Sequence, residues 1–510
     1  MNGRFRPAAH RKTAQQQMNY SEFGAMIPEL IVLGLFLIVF FADTFRCQKC
    51  SGKFLTPMTT VLFLLATVAI WIVPCCPEPV FGGMYVNDFA GKALKCILNV
   101  GVFLVLLQSA KWSESDGMAF RKGEFYELLL VTLFGMYLMI SARHFLLFII
   151  GLESASLPIA ALVAFNKNKY ESHEAAIKYI MTAVFSSAIL LMGLSFVYGL
   201  SGGSLYFSDI ALAITQGEMS GLLLVALAFV LSGIGFKLSL VPFHLWTADV
   251  YQGAPTAVTA YLSVVSKGAA AFAFFIVFVQ CFGAVYADAW EWMLYGVIIA
   301  TITIGNLFAL RQSNMKRFMA FSSISQAGYL VLGVIASSGL GLASMMYYTL
   351  VYVVSNLGAF AVIQMIEDKT GYDNMDDYRG LHKTNPYLSV AMTLAMFSLA
   401  GIPPFAGFFS KILIFTSVTA SGSMALYMLV LVALINTIIS LYYYLKVVKA
   451  MWISPEDPKI ESFSAPNTAR LGLCLCVLGI VFLGLVSPVY QWLVNEVELT
   501  MANPLAWIGI

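Results

Sequence analysis

Long apolar stretches alternate with short polar segments along the whole chain of 510 residues. The hydrocarbon core of a bilayer is about 30 Å thick, and a helix needs roughly 20 apolar residues to cross it. Counted this way, the pattern predicts about 14 transmembrane helices, and an all-α fold is expected because no strand-like alternation is present. The predicted helices are centred near residues 33, 64, 101, 134, 154, 186, 230, 268, 300, 328, 355, 403, 437 and 482.

Two of the predicted helices, the seventh and the twelfth, are too long for a simple crossing. Residues 219–250 and 388–418 would each form about 46 to 48 Å of helix at 1.5 Å per residue. Each stretch contains prolines near its middle, Pro242 in GFKLSLVPFH and Pro403 with Pro404 in AGIPPFAGFFSK. We therefore expect both helices to be broken, which a membrane tolerates only where protein or water satisfies the freed backbone groups.

Matching breaks in two halves of a chain indicate the inverted repeats of a transporter. Helices four to eight and nine to thirteen form two sets of five, each with its break in the fourth helix. Since five is an odd number, the two sets must cross the membrane in opposite senses. The predicted divisions are an N-terminal extension (1–20), three helices (21–123), a first repeat (124–281), a second repeat (282–455), and the last loop, helix fourteen and tail (456–510).

Composition supports the membrane assignment, because 60% of the residues are hydrophobic, 11% are charged and the mean hydropathy is +0.82. So few charges could not cover a soluble core of this size, so the chain is predicted to be a polytopic membrane protein. The net charge of +2 and the lack of a basic patch with interleaved aromatic residues predict no binding of nucleic acid.

The distribution of lysine and arginine predicts the orientation, since these residues concentrate in loops on the cytoplasmic side. Loops after odd-numbered helices hold 18 of them, and loops after even-numbered helices hold only Lys92, Lys95 and Arg143. Both termini are therefore expected outside. The 18 residues are Arg46, Lys49, Lys53, Lys111, Arg121, Lys122, Lys167, Lys169, Arg311, Lys316, Arg317, Lys369, Arg379, Lys383, Lys446, Lys449, Lys459 and Arg470.

The first 16 residues contradict this orientation, because they carry four basic residues and no acidic one on the side that should lack them. They are either a short transit-like extension or a sign that translation begins at Met18. The intact mass of the purified chain would decide between the two.

Charged residues inside predicted helices are the main candidates for function, because each costs roughly 2.5 to 3.5 kcal/mol at the membrane centre and typically marks an ion path. Glu153 and Lys267 lie mid-helix, and Lys237 and Lys411 lie beside the two breaks. Lys178 lies near a helix start, where snorkelling to the interface is as good an explanation as function. For Glu153 the structural alternative is an ion pair with one lysine.

Motifs for redox cofactors are absent from the sequence. It contains no GxGxxG after a strand, no P-loop and no ferredoxin-like cysteine run, so no nucleotide, flavin or cluster site is expected. Cys47 and Cys50 form a lone CxxC, and Cys75 and Cys76 are adjacent. Without a second pair or nearby histidines, these are interpreted as ordinary thiols.

The stretch GFKLSLVPFHLWTADVYQGAPTAVTAYLSVVSKGAA, residues 235–270, strongly resembles the antiporter-like proton-channel subunits of respiratory complex I. The form DVYQGAPTAVTA is similar to the N-type members, whereas L and M types read closer to PDAHTxAPT. The resemblance extends over nearly the whole chain, through PEL, LFIIGLESASLPIAALVAF, EAAIKYIMTAVFSSA, RFMAFSSISQAGY and LAGIPPFAGFFSKILIF.

The resemblance assigns roles to the four charges in the membrane. It implies that Glu153 is the family's fifth-helix glutamate and Lys237 its partner on the broken seventh helix. Lys267 matches the central lysine of helix eight, and Lys411 the lysine of helix twelve that connects toward the outer side. An M type would carry glutamate in place of Lys411, and an L type would add a long lateral helix after its last spans.

The function implied by the resemblance is that of a proton-translocating membrane-arm subunit, which couples NADH oxidation and quinone reduction to proton transfer. NADH, FMN, iron–sulfur clusters and quinone are then expected on other subunits. Expected partners are K-like and M-like membrane subunits and lipid, in a bacterial inner membrane with both termini periplasmic.

The mechanistic hypothesis is that Glu153 keeps Lys237 protonated, and that loosening this pair releases a proton toward Lys267 and then Lys411. Burial makes such a role possible, because it disfavours the ammonium form of a lysine. His244, just past the first break, is a possible relay, although an interfacial structural histidine is the simpler interpretation.

Three alternatives stay open on the residues alone. The chain could serve a multi-subunit cation/proton antiporter, against which DVYQGAP argues, or the membrane arm of a ferredoxin- or hydrogenase-linked complex. Neighbouring genes would discriminate between these. A purely structural subunit is the third alternative, and four charges in the membrane would be wasteful for it. Sodium as the carried ion is disfavoured because the path is rich in lysine and poor in carboxylate.

Overall fold

The structure, a computed structural model, describes residues 20–45, 54–115, 118–216, 221–283, 287–420, 422–453, 458–485 and 488–502. Thirteen helices within these ranges are long and apolar enough to cross a membrane. The expected start at Met18, residues 1–19 of the extension, and Cys47 and Cys50 lie outside them.

Helices make up nearly all of the described chain. In chain order they are α1 (Ile27–Thr44), α2 (Leu55–Ile72), α3 (Phe89–Ser113), α4 (Lys122–Ser141), α5 (Phe145–Val163), α6 (Tyr170–Leu200), α7 (Phe207–Gln216), α8 (Gly221–Leu238), α9 (Trp246–Gly253), α10 (Thr256–Tyr261), α11 (Lys267–Phe275), α12 (Ala287–Leu310), α13 (Met315–Ile335), α14 (Gly339–Thr370), α15 (Leu381–Thr384), α16 (Pro386–Ala400), α17 (Ala406–Thr419), α18 (Met424–Trp452), α19 (Asn467–Leu485) and α20 (Pro488–Met501). Short 3₁₀ turns at Tyr20–Met26, Phe81–Gly83 and Met375–Tyr378 and π-helical segments at Leu262–Ser266 and Ile276–Cys281 complete the helical part.

Both predicted helix breaks are confirmed. The seventh predicted helix divides into α8 and α9 around residues 239–245, and the twelfth divides into α16 and α17 around residues 401–405. The helices α16 and α17 are each too short to cross a membrane alone and are not among the thirteen. Together they form the broken twelfth helix, which adds one crossing. The prediction of about 14 helices in an all-α membrane fold is therefore confirmed.

The order of elements repeats along the chain. Each set consists of two adjacent helices, a long helix, a broken helix and a closing helix. The first set runs from α4 to α11 and the second from α12 to α18. The closing helix of the first set, Thr256–Cys281, consists of α10, α11 and the two π segments. Opposite orientation of the sets follows from their odd number of crossings, while the exact divisions at residues 124 and 282 remain predictions.

The helices around the buried lysines lie at the centre of the protein. Residues of α10, α11, α13 and α14 are buried along nearly their whole length, whereas α1, α2, α6, α18 and α19 expose much of their apolar surface. An apolar surface of that extent is suited to lipid rather than water. The lysines of the predicted path therefore lie in a protein interior surrounded by lipid-facing helices.

Three elements were not predicted from the sequence. An antiparallel hairpin of β1 (Cys76–Val80) and β2 (Tyr85–Asn87) precedes α3, with Cys76 paired to Asn87 and Val80 to Tyr85. Its turn contains Gly82 at φ 69°, a left-handed conformation that glycine adopts readily. The other two, α7 and α20, have 10 and 14 residues and are too short for the count of membrane crossings.

Candidate functional site

Three buried lysines form the central feature of the interior. Lys237 is the penultimate residue of α8, Lys267 begins α11 directly after a π-helical segment, and Lys411 lies in the second turn of α17. Their exposed fractions are 4%, 1% and 4%. Residues of this kind are rarely buried without a specific role.

Lys237 is held by hydroxyl groups. Its Nζ donates to Ser156 Oγ at 2.6 Å and to the Tyr179 hydroxyl at 3.3 Å. The half-buried Glu153 accepts a 2.5 Å hydrogen bond from Ser187 instead. Within the described chain, no oxygen of Glu153 lies within the 4.0 Å ion-pair distance of Lys237 Nζ, so the two residues are neighbours without direct contact.

Lys267 lies where α10 gives way to α11 across the π-helical segment Leu262–Ser266. Such segments are rare and often occur at functional sites. Lys267 Nζ donates to Ser323 Oγ at 2.8 Å and to the Ser323 carbonyl at 3.2 Å, and it lies 5.6 Å from the centre of the Tyr251 ring. A hydroxyl, a carbonyl and an aromatic face therefore surround the amine.

The second helix break explains the position of Lys411. Its Nζ donates to the carbonyl oxygens of Leu399 and Ala400, at 3.0 Å each. In an unbroken helix these carbonyls would accept from the N–H groups four residues later, at Pro403 and Pro404, which have none. The two prolines thus create a pair of free acceptors, and the lysine satisfies both.

A single turn of α13 connects the surroundings of Lys267 and Lys411. Ser323 contacts Lys267, and Gln326, three residues later, donates to the Leu399 carbonyl at 3.3 Å. Lys411 bonds the same carbonyl. Polar groups on one turn of α13 therefore reach the surroundings of both lysines, Ser323 directly at Lys267 and Gln326 through the carbonyl that Lys411 also contacts.

Aromatic side chains lie between Lys237 and Lys267. The Tyr179 ring lies 5.2 Å from the Trp246 ring, which lies 6.5 Å from the Tyr251 ring. Hydroxyls of the two tyrosines mark its ends, and the indole between them offers only one N–H, which donates to the Phe236 carbonyl. The first interval is therefore less polar than the second.

Lys178 and His244, the two possible relays, have no hydrogen bond to the three buried lysines in the described chain. Lys178 has an exposed fraction of 42% and pairs with Glu174 at 2.6 Å and with Asp249 at 2.7 Å. Asp249 also pairs with Arg317 at 2.7 Å. This network supports the interfacial interpretation of Lys178. His244 lies in the first break, and in the described chain it makes no hydrogen bond to any of the lysines.

Sequence analysis misplaced Lys95, which it assigned to a loop. Lys95 lies in the second turn of α3 and pairs with Glu29 at 2.6 Å, both side chains having no exposed surface. Tyr85 donates to Glu29 at 2.6 Å, and Lys95 donates to Ser141 at 2.8 Å. The apolar run that begins directly after Lys95 was the available signal that this residue starts a membrane segment.

Arg143 lies in a loop, as predicted, but it is buried and paired. It lies between α4 and α5 with an exposed fraction of 4%, and it pairs with Asp88 at 2.5 Å. Asp88 also caps α3 by accepting from the Gly91 N–H at 2.6 Å. The starts of α1 and α3 and the end of α4 are thus joined by two buried ion pairs.

In the described residues, no group of three or more histidine, cysteine or acidic side chains is arranged to hold a metal ion. The six described cysteines are free thiols. Burial raises the pKa of the Cys75 thiol to about 11, so this thiol is protonated at neutral pH.

Comparisons with known proteins agree closely with one another. Residues 142–439 match the family described as NADH:quinone oxidoreductase/Mrp antiporter, transmembrane. NADH-quinone oxidoreductase subunit N of Phocaeicola vulgatus is 51% identical over 92% of this chain and 97% of its own length. A chain of respiratory complex I from Thermus thermophilus with bound aureothin is 30% identical, with a TM-score of 0.74 over 90% of this chain and 97% of that one. A chain of the Mrp complex from Dietzia is 21% identical with a TM-score of 0.77 over 96% and 99%, a likeness of fold alone.

Proposed function

The chain belongs to the NADH-quinone oxidoreductase subunit N family, and from that membership we propose that it moves protons along Lys237, Lys267 and Lys411, with Glu153 beside the first. It is a proton-translocating membrane subunit of complex I, which couples NADH oxidation and quinone reduction to proton transfer. The observation that carries the proposal is that one turn of α13 places polar groups beside both lysines, Ser323 at Lys267 and Gln326 at the carbonyl bound by Lys411.

Two lysines of the proposed route, Lys237 and Lys267, have a partner suited to both of their protonation states. Ser156 and Ser323 hydroxyls can accept from an ammonium or donate to a neutral amine. At Lys411 only carbonyl acceptors are present, which favours the charged form there. The route therefore runs from two lysines with hydroxyl partners to one with carbonyl partners.

Glu153 acts on Lys237 from a short distance in this proposal. Its carboxylate lies one turn before Ser156 on α5, so its negative charge favours the ammonium without a shared hydrogen bond. Loosening this attraction would release the proton toward Lys267. His244 and Lys178 have no assigned step in the route.

The assembled state is also a proposal in its details. We assign K-like and M-like subunits and lipid as neighbours, with NADH, FMN, iron–sulfur clusters and quinone bound by other subunits, in a bacterial inner membrane with both termini periplasmic. Purification of the chain with its natural partners, followed by mass spectrometry, checks this assignment. Recovery with antiporter subunits and without dehydrogenase subunits would support the antiporter alternative instead.

Replacing Lys237 by alanine is expected to lower proton pumping by the assembled complex on the order of tenfold, equivalent to about 1.4 kcal/mol in barrier height. The physical reason is the loss of the first titratable group beside Glu153. The measurement is NADH-driven acidification of vesicles containing the complex, normalised to the amount of complex.

The control variant is Lys459→Ala, because Lys459 pairs with Asp377 at the surface and has an exposed fraction of 61%. Its pumping should equal that of the wild type. Lys178→Ala should also retain pumping within about twofold if its ion pairs are only interfacial. Normal pumping by Lys237→Ala would remove this residue from the route.

A further inference from the structure

The C-terminal end of α16 presents two carbonyl oxygens that lack backbone partners. The last four carbonyls of any helix have no partners within it, and a helix end of this kind carries partial negative charge. Two of the four, those of Phe397 and Ser398, accept from backbone N–H groups of the turn that follows α16. In the described chain the other two, those of Leu399 and Ala400, receive no backbone N–H, because prolines stand where the donors would be. The negative end of the helix therefore offers two oxygen acceptors at one point.

The ammonium group of Lys411 occupies this point without a counter-charge. Its Nζ donates to both carbonyls at 3.0 Å and lies 5.3 Å from the centre of the Tyr329 ring. Within the part of the chain that the structure describes, no carboxylate oxygen lies within 4.0 Å of this nitrogen. The positive charge is therefore balanced by carbonyl dipoles, a helix end and an aromatic face.

The surroundings of Lys411 leave little room for water. The cavity beside it has a volume of about 10 Å³, and one water needs about 10 to 15 Å³. Its described lining includes the hydroxyls of Tyr348, Ser398 and Ser410 and contains no acidic residue. Gly401 allows the lysine to approach the backbone closely, because a side-chain carbon at this position would lie 3.1 Å from Lys411 Cδ. The ammonium group is therefore held by protein oxygens rather than by a shell of water.

Carbonyl oxygens at a helix break are the ligands with which membrane proteins bind alkali cations. An ammonium group has the same charge as K⁺ and a similar size, so the oxygens that hold one can hold the other. The three buried lysines differ in this respect. Lys237 contacts two hydroxyls, Lys267 contacts one hydroxyl and one carbonyl, and Lys411 contacts two carbonyls. Of the three positions, the one at the end of α16 is therefore best suited to an alkali cation.

We propose that the end of α16 is a binding site for an alkali cation of the K⁺ class, and that Lys411 fills this site as a built-in cation. The tethered ammonium keeps free K⁺ and Na⁺ out of the route, so that protons alone pass this position. Lys411 can give up its proton without leaving the site, because its side chain is fixed to α17. This inference names the residue that selects protons, and it rests on the proposed role of Lys411 as a proton carrier.

Rubidium binding to the purified, assembled complex tests the site independently of pumping. Radioactive Rb⁺ stands in for K⁺, and equilibrium dialysis counts the ions bound per complex. Lys411→Ala vacates the site and should bind one rubidium ion more than the wild type, and both K⁺ and methylammonium should displace that ion. If the alanine variant does not assemble, Lys411→Ser carries the same test, since it empties the position and leaves a hydroxyl beside the two carbonyls.

Two control variants show whether the carbonyls are the cause. Lys411→Met fills the position with an uncharged side chain of similar length and should bind no additional rubidium. Lys267→Ala also removes a buried lysine but frees only one carbonyl, so it should match the wild type. The proposal is overturned if Lys411→Ala binds no more rubidium than the wild type, if methylammonium does not displace the added ion, or if either control binds as much.

Pumping by the same variant separates this inference from the function on which it rests. The lysine route predicts that Lys411→Ala loses NADH-driven proton pumping, a result that does not depend on rubidium. Lost pumping without added rubidium would leave the route standing and rule out the cation site. Normal pumping by Lys411→Ala would remove this lysine from the route, and its role in selecting protons would fail with it.

Discussion

Replacing Lys267 by alanine is expected to abolish the proton pumping that accompanies NADH oxidation by the assembled complex. Lys267 is the middle lysine of the proposed route, and its partner Ser323 lies three residues before Gln326, which bonds the same carbonyl as Lys411. Alanine has no titratable group, so a proton would have to cross this interval on water alone. We expect the pumping rate to fall by more than about tenfold, or at least about 1.4 kcal/mol in barrier height.

Lys267→Arg separates proton carriage from charge. Arginine keeps the positive charge and the donors but does not release its proton under physiological conditions, so pumping should remain lost. The measurement is acidification of vesicles relative to NADH oxidised, with the amount of assembled complex determined for each variant. Undiminished pumping by Lys267→Ala would disprove the lysine route, and restored pumping by Lys267→Arg would reduce Lys267 to an electrostatic role.

The helix breaks are the part of the site that sequence analysis predicted well. A proline in a stretch too long for one crossing is a local signal, and Pro242, Pro403 and Pro404 all lie in the breaks. The same chemistry explains why Lys411 lies near its break, since prolines leave carbonyls without donors. The sequence pattern was enough to predict the breaks because each proline and the backbone groups that it frees lie within a few residues of each other.

The contacts between helices could not be predicted in the same way. Sequence analysis and the family resemblance suggested Glu153 as the partner of Lys237, but Ser156, one turn further along the same helix, makes the direct contact. Which of two residues on one face reaches a lysine depends on how α5, α6 and α8 pack. Their separation of three residues spans about 4.5 Å along the helix, which is comparable to the uncertainty of a predicted helix boundary.

Lys95 was missed because charge counting treated its segment as a loop. The hairpin before α3 brings the start of this helix into the interior, where Glu29 neutralises the lysine. Glu29 is 66 residues away in sequence, so no local spacing relates the two. Long-range pairs of this kind become visible only when the helices are assembled.

Breaking the buried Glu29–Lys95 pair is therefore expected to have a large effect on the stability of the protein. Glu29→Leu should lower the free energy of unfolding by about 3 to 5 kcal/mol, because it leaves a buried ammonium without a counter-charge. Tyr85 also loses its acceptor. Chemical denaturation of the detergent-solubilised chain, followed by intrinsic fluorescence, measures the change.

Two further variants show whether burial is the cause of this effect. Glu29→Leu combined with Lys95→Met removes both charges and should recover most of the lost stability, since replacing both members of a buried pair by apolar residues is often neutral. Asp376→Asn breaks the exposed pair with Arg379, whose side chains are 71% and 54% exposed, and should cost at most about 1 kcal/mol. If Glu29→Leu cost no more than Asp376→Asn, water would have to reach Lys95 in the folded protein. The starts of α1 and α3 and the end of α4 would then not form the dry junction that their contacts describe.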